Sequence, residues 1–134
     1  MNISSYTDFL AAANSQPQPQ RLLFVFAQAE LPPQHTESQK QSFQQRRGGV
    51  LTPVMCVDKL PAEVASFAGL VEESQRTGQR WDIVFAAALS GRAGVAPGSD
   101  TAEQPLKKMI DAIQQGSVGG FLAFDRSGEL VQFA

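Results

Sequence analysis

The chain has a single histidine, His35, and a single cysteine, Cys56. Thiol and metal chemistry, and much proton transfer, rely on these residues in clusters. One of each excludes a His/Cys metal cage, an internal disulfide and a two-cysteine redox couple. Long apolar runs are missing too. The longest, residues 22–27 and 83–89, fall far short of the ~20 residues that cross a bilayer as a helix. A basic surplus is also absent: 11 Lys and Arg against 13 Asp and Glu give a formal net charge of −2. Nucleic-acid binding draws on such a surplus to neutralise phosphates, so neither nucleic acid nor membrane is an expected partner. The opening residues lack the basic stretch and apolar core of a secretory signal, and one cysteine in apolar surroundings fits a reducing compartment. The expected location is therefore cytoplasmic.

What is present fits one α/β domain spanning residues 1–134, with 43% hydrophobic and 18% charged residues. Residues 5–13 read as a short helix, with Ser5 and Asp8 in capping-box positions and Tyr6, Phe9, Leu10 and Ala13 on one face. Pro17 and Pro19 end it. Residues 22–27, apolar without alternation, read as a strand buried on both faces. Residues 36–47 form a Gln-rich helix or loop that only Phe43 would anchor. Residues 50–57 read as a second strand, and Pro53 assigns it to an edge or a bulge. Pro61 opens a helix with Val64, Phe67, Ala68 and Val71 on one face and Gly78 at its end. Residues 81–89 are a third strand. A helix beginning between Thr101 and Pro105 carries Leu106, Met109, Ile110 and Ile113, and Gly116 closes it. Residues 120–124 and 130–133 flank a turn with Gly128 in the left-handed position. This order predicts an α/β layered sandwich: a mixed sheet of about five strands, two or three packed helices and a C-terminal β-hairpin.

In open α/β sheets, ligands gather beyond the carboxyl ends of parallel strands. Glu30 follows the first strand, Asp58 and Lys59 the second, Ser90 and Arg92 the third, Asp125 and Arg126 the fourth. If these ends converge, Lys59, Arg92 and Arg126 hold an anion, and the loop around Ser90 and Gly91 adds backbone N–H groups. The candidate ligand site is thus Lys59, Ser90, Gly91, Arg92 and Arg126. Polar loops and solvated basic side chains are the ordinary account of the same residues. The loop lacks the Gly-Lys-Ser/Thr ending of a phosphate-binding P-loop and the glycines of a dinucleotide fingerprint. Cys56 reads as a small buried hydrophobe and His35 as an exposed loop residue. Asp58 and Asp125 would form an acid/base pair only within one cleft, roughly 5–10 Å apart by glycosidase geometry. Turn preference alone accounts for both. No catalytic residue, metal ligand or cofactor is assigned. Phe121, Phe124 and Phe133 make the closing segment apolar enough to need a cover, which motivates a homodimer through the C-terminal hairpin.

Four segments carry a resemblance: residues 22–27, 54–59, 81–85 and 119–125. Together they resemble a family of small uncharacterised proteobacterial proteins, similar along nearly the whole chain. Some of its members carry the label ribonucleotide reductase subunit alpha. A reductase catalytic subunit needs a large barrel, a radical cysteine and a separate cysteine pair, whereas this chain has Cys56 alone. The resemblance implies a bacterial setting and lends no activity to any residue. The leading expectation is a non-catalytic protein-interaction or assembly module with an unknown protein partner. A binder of a small anionic metabolite comes next, and an Asp-dependent hydrolase last.

Overall fold

The computed structural model of the protein describes residue 3, residues 5–30 and residues 50–131. The two runs that read as doubly buried strands build its centre. β1 (Gln20–Glu30) pairs antiparallel with β3 (Ile83–Ser90), from Gln20 opposite Ser90 to Ala27 opposite Ile83. Phe24, Val25, Val84 and Phe85 in them are completely buried, as apolar residues on both strand faces require. β2 (Val50–Lys59) lies outside β1 and β4 (Leu122–Asp125) outside β3, giving the order β2-β1-β3-β4.

All three strand pairings are antiparallel, which corrects the expected mixed sheet of about five strands. β2 and β3, joined through helical structure, do run the same way. β1 lies between them in the opposite sense, so no two parallel strands touch. Of the expected fifth strand, the described residues 130 and 131 form a short return. Asp125 Oδ1 accepts the N–H groups of Ser127 and Glu129, Gly128 takes φ 86° as the turn chemistry predicts, and Leu130 forms a single bridge with Phe124. Phe133, the last residue of the expected hairpin to carry weight, lies outside the described residues, as do His35 and residues 36–47.

α1 (Tyr6–Asn14) starts where Ser5 Oγ accepts the Asp8 N–H at 3.2 Å. Pro61 opens only a 3-10 turn (Pro61–Val64), closed by Glu63 accepting the Leu60 N–H at 2.8 Å. The α-helix proper, α2 (Phe67–Gln75), begins at a new cap, Ser66, whose Oγ accepts the Gly69 N–H. One expected helix is therefore two pieces. α3 (Ser99–Gln114) begins before the expected start, so Pro105 falls inside it. Its stripe of Leu106, Met109 and Ile113 is buried as the spacing predicts, joined by Ala102.

Alternation along the strands divides the core in two. Leu22, Phe24, Phe26, Val84, Ala86 and Phe124 pack with Tyr6, Phe9 and Leu70 of α1 and α2. Leu23, Val25, Ala27, Ile83, Phe85 and Ala123 pack against α3 on the other face. The first face holds a cluster of five rings, Tyr6, Phe9, Phe24, Phe67 and Phe124, with centroids 5.1 to 6.4 Å apart. Phe124 is buried in that cluster and Phe121 packs against the opposite core. Of the three phenylalanines that motivated the homodimer, Phe124 is thus covered within the chain and Phe121 partly so.

Tyr6 Oη donates to the Val64 carbonyl at 2.7 Å, and burial pushes its pKa up to about 12. A raised folded value means that Tyr6 contributes stability in full below its ordinary 10.0 and loses it as pH climbs toward 12. Because Tyr6 is the chain's one tyrosine, tyrosinate absorbance reports it directly. That absorbance is expected to rise together with loss of the folded Trp81 emission, and Tyr6→Phe is expected to flatten this alkaline limb while costing about 1 kcal/mol at neutral pH.

Candidate functional site: strand ends, edges and a cleft

Antiparallel pairing decides which of the proposed residues can meet. The carboxyl ends of β2 and β3 share one end of the sheet with the start of β1, and those of β1 and β4 share the other. Lys59, Ser90, Gly91 and Arg92 therefore gather at one end. Arg126 lies at the opposite end, its guanidinium 5.3 Å from the Trp81 ring centroid and donating to the Trp81 carbonyl at 3.5 Å. The structure does not bring the five together. Asp58 sits opposite Leu23 on β1, whereas Asp125 sits opposite Ile83 and hence level with Ala27. Four residues of strand separate them, about 14 Å along its axis, so they do not share a cleft as an acid/base pair.

At the first end Arg21, Asp58 and Lys59 are paired within the chain, whereas Arg92 is exposed. Arg21 Nε donates to Asp58 Oδ2 at 2.6 Å, its Nη2 to Ser99 Oγ at 2.6 Å and its Nη1 to the Pro97 carbonyl at 3.3 Å. Ser99 Oγ in turn donates to Asp58 at 2.7 Å, tying the start of α3 to both strands. Lys59 Nζ meets Glu73 Oε1 at 2.5 Å. The loop amides are taken as well. Gly91 N–H donates to the Pro19 carbonyl, Arg92 and Val95 bond each other's backbone, and Gly94 N–H donates to Gln18 Oε1. Ala93 and Gly94, at φ 52° and 77°, are the two central residues of that tight turn. The amides of Gly91, Arg92, Gly94 and Val95 thus stabilise a turn and form no anion cradle. Sequence reading passed over Arg21. The available signal was an isolated cation at the start of a doubly buried strand, opposite in charge to the Asp58 that ends another.

Burial raises the Asp58 pKa, but hydrogen bonds from Ser99 and Arg21 and the Arg21 charge outweigh it and hold the carboxyl below its ordinary 3.8. A depressed folded value contributes stability that is present above 3.8 and lost as pH falls through the folded value. Acid unfolding curves of Asp58→Asn are accordingly expected to be shallower below about pH 4 than those of the parent chain. Equal slopes would show that the cluster does not hold in solution.

Cys56 corrects another expectation: its side chain is exposed on β2, while its neighbours Met55 and Val57 take the core side. β2 is a sheet edge, as Pro53 predicts, and carries a register shift that leaves Val54 as an extra residue between Met55 and Pro53.

Successive residues of an antiparallel strand turn their N–H and C=O alternately to either side. Gly91 donates to Pro19 on the β1 side, so odd-numbered residues of β3 face β1 and even-numbered ones face β4. The same alternation carried across β1 turns Leu51, Pro53, Cys56 and Asp58 outward on β2. The missing N–H of Pro53 therefore falls on the open side. On β3, pairing with β4 stops at Ala86 opposite Leu122, and Ala88 and Ser90 are exposed beyond it.

Beside this uncovered half of β3 lies a cleft of about 340 Å³. Its floor is Gln20, Ala86, Ala88 and Leu122, its wall is Phe9, Ala12 and Ala13 of α1 with Gln16 just beyond that helix, and Gly120 lies at its rim. Among the described residues, no charged one lines it. Gln20 is 93% buried, and its amide nitrogen donates to Gln18 O and Ser90 Oγ. Among the described residues, no group of three or more His, Cys, Asp or Glu side chains could hold a metal ion, and no helix is long and apolar enough to cross a membrane. Compared with known proteins, the chain matches no family model, no curated protein and no solved structure.

Proposed function

We propose that this protein is a non-catalytic interaction module that engages another polypeptide through the open edges of its sheet. One observation carries the reading: at the sheet end where reactive residues gather, Arg21, Asp58 and Lys59 are satisfied inside the chain, while main-chain groups of β2 and of β3 beyond Ala86 face outward. Paired charges have little left to offer a substrate, and open strand edges are templates for another chain. The anionic-metabolite alternative loses two of its three cations to Glu73 and to the distant Trp81.

Two measurements test the proposal. Thermal shift with inorganic phosphate, pyrophosphate and citrate is expected to leave Tm unmoved. A concentration-dependent rise that Arg92→Ala abolishes would transfer the assignment to anion binding. A photo-crosslinking amino acid placed at position 56 or 88 is expected to capture one defined polypeptide in cells, and the same amino acid at exposed Lys108 to capture none. Equal labelling from all three positions would overturn the edge assignment.

A further inference from the structure

The uncovered half of β3 and the neighbouring cleft belong to one surface. The side chains of Gln20, Ala86, Ala88, Ser90 and Leu122 all fall on the face that α1 covers, since they alternate in step with Leu22, Phe24, Val84 and Phe124. At Ala88 the sheet stops being covered from two directions at once. Pairing with β4 stops two residues earlier, at Ala86, and the small side chains of Ala12, Ala13, Ala86 and Ala88 leave the cleft open above the strand. Gly120 would face Ala88 if β4 continued, but a turn carries it out of line. A Cβ built on Gly119 or Gly120 meets no atom of the described residues within 4 Å, so there is room for a side chain at that turn.

We propose that this surface binds an uncharged, extended peptide segment of another protein, which adds as a short strand beside Ala88 and Ser90 and places one apolar side chain in the cleft. The proposal rests on the interaction-module reading and names its site and ligand class. Three observations select this occupant. The outward N–H and C=O of Ala88 and Ser90 are spaced to bond alternate residues of an extended main chain. The described residues of the lining carry no charge, so a charged side chain would lose its hydration there without a partner among them. Gln20, nine-tenths buried, supplies a polar side-chain amide to the lining, its nitrogen donating to Gln18 O and Ser90 Oγ. The β2 edge fits such a ligand less well. Pro53 withholds an outward donor there, and the extra residue Val54 breaks the spacing.

The probe is the blocked peptide acetyl-Thr-Val-Leu-Val-Thr-amide, followed by amide NMR on the full chain. Saturable shifts are expected at Ala88, Ser90, Gly120 and Ala12, with binding weakened about tenfold or more when alternate peptide nitrogens are methylated. Ala88→Pro removes an outward donor that no β1 bond uses, and is expected to weaken binding similarly. Ala12→Phe fills the cleft from α1 and is expected to abolish binding with the fold retained, which covers the case in which Ala88→Pro disturbs β3. Binding that ignores N-methylation and Ala88→Pro would overturn the proposal and leave an apolar pocket for a small molecule. Shifts confined to residues 51–58 would overturn it in favour of the β2 edge while the module reading stands. Shifts of the same amides on raising protein concentration alone would make a second copy the occupant. No saturable shift at ~1 mM peptide, a level that reports binding of about −4 kcal/mol, would remove the site altogether. Failure of the module reading itself is read separately, from the anion titrations.

Discussion

Replacing Phe124 by alanine is expected to cost about 3–5 kcal/mol, a large part of the 5–15 kcal/mol typical of a folded domain. Phe124 is completely buried, and its ring lies 5.9 Å from that of Tyr6 and 6.2 Å from those of Phe9 and Phe67. Those three rings come from two different helices. β4 is only four residues long, so its attachment depends on this side chain more than on its ladder. The surrounding rings are held by their own backbones and can close only part of the space left behind. A lower urea midpoint should be accompanied by early hydrogen exchange at Asp125 and Val131, whose N–H groups are bonded across the β4 return, ahead of Leu23 and Val25. Phe121→Ala, at a half-buried position on the other face, is expected to lose about half as much or less. Similar midpoints for the two variants would show that the ring cluster does not carry β4.

Gly91→Ala should be nearly as damaging, for the opposite reason. A Cβ at Gly91 would lie 2.0 Å from the Val95 carbonyl oxygen and 2.8 Å from that of Pro19. Both are backbone atoms, so no side chain can rotate away. Either the turn from Arg92 to Val95 opens, or the bond from Gly91 N–H to Pro19 breaks, at an expected total of about 3 kcal/mol. The damage should travel. This loop delivers the chain to Ser99, which bonds both Arg21 and Asp58. Gly91→Ala should therefore also blunt the acid dependence that belongs to Asp58. Gly119→Ala is the control: a Cβ there meets nothing within 4 Å, and its effect should stay within about 0.5 kcal/mol. Equal stabilities of the two variants would contradict the close approach at Gly91.

Much of the fold was legible because single residues announce their backbone. The doubly apolar runs gave β1 and β3 as neighbours at the centre, Ser5 gave the start of α1, Pro53 gave an edge and a bulge, and Gly128 gave the turn after β4. Strand direction was not legible. A helix between two strands suggests a parallel pair, and no local signal reports that β1 lies between β2 and β3. That one omission displaced the candidate site, since it sent Arg126 and Asp125 to the far end. Exposure of Cys56 was hidden for a related reason: an apolar edge strand and an apolar central strand look alike in composition. The cleft left a faint mark, the three alanines of residues 86–88, but their use depends on how short β4 is, which follows from where the chain turns at residues 119–121.

The proline turned outward on β2 bears on what happens when many copies crowd together, as on a ribosome-dense transcript or in a concentrated sample. A ribbon growing sideways from copy to copy needs an unbroken row of donors, and here the row has a gap beside a kink. The chain can therefore keep a greasy rim without seeding fibres along it, and Pro53→Thr is the change that would restore the missing link.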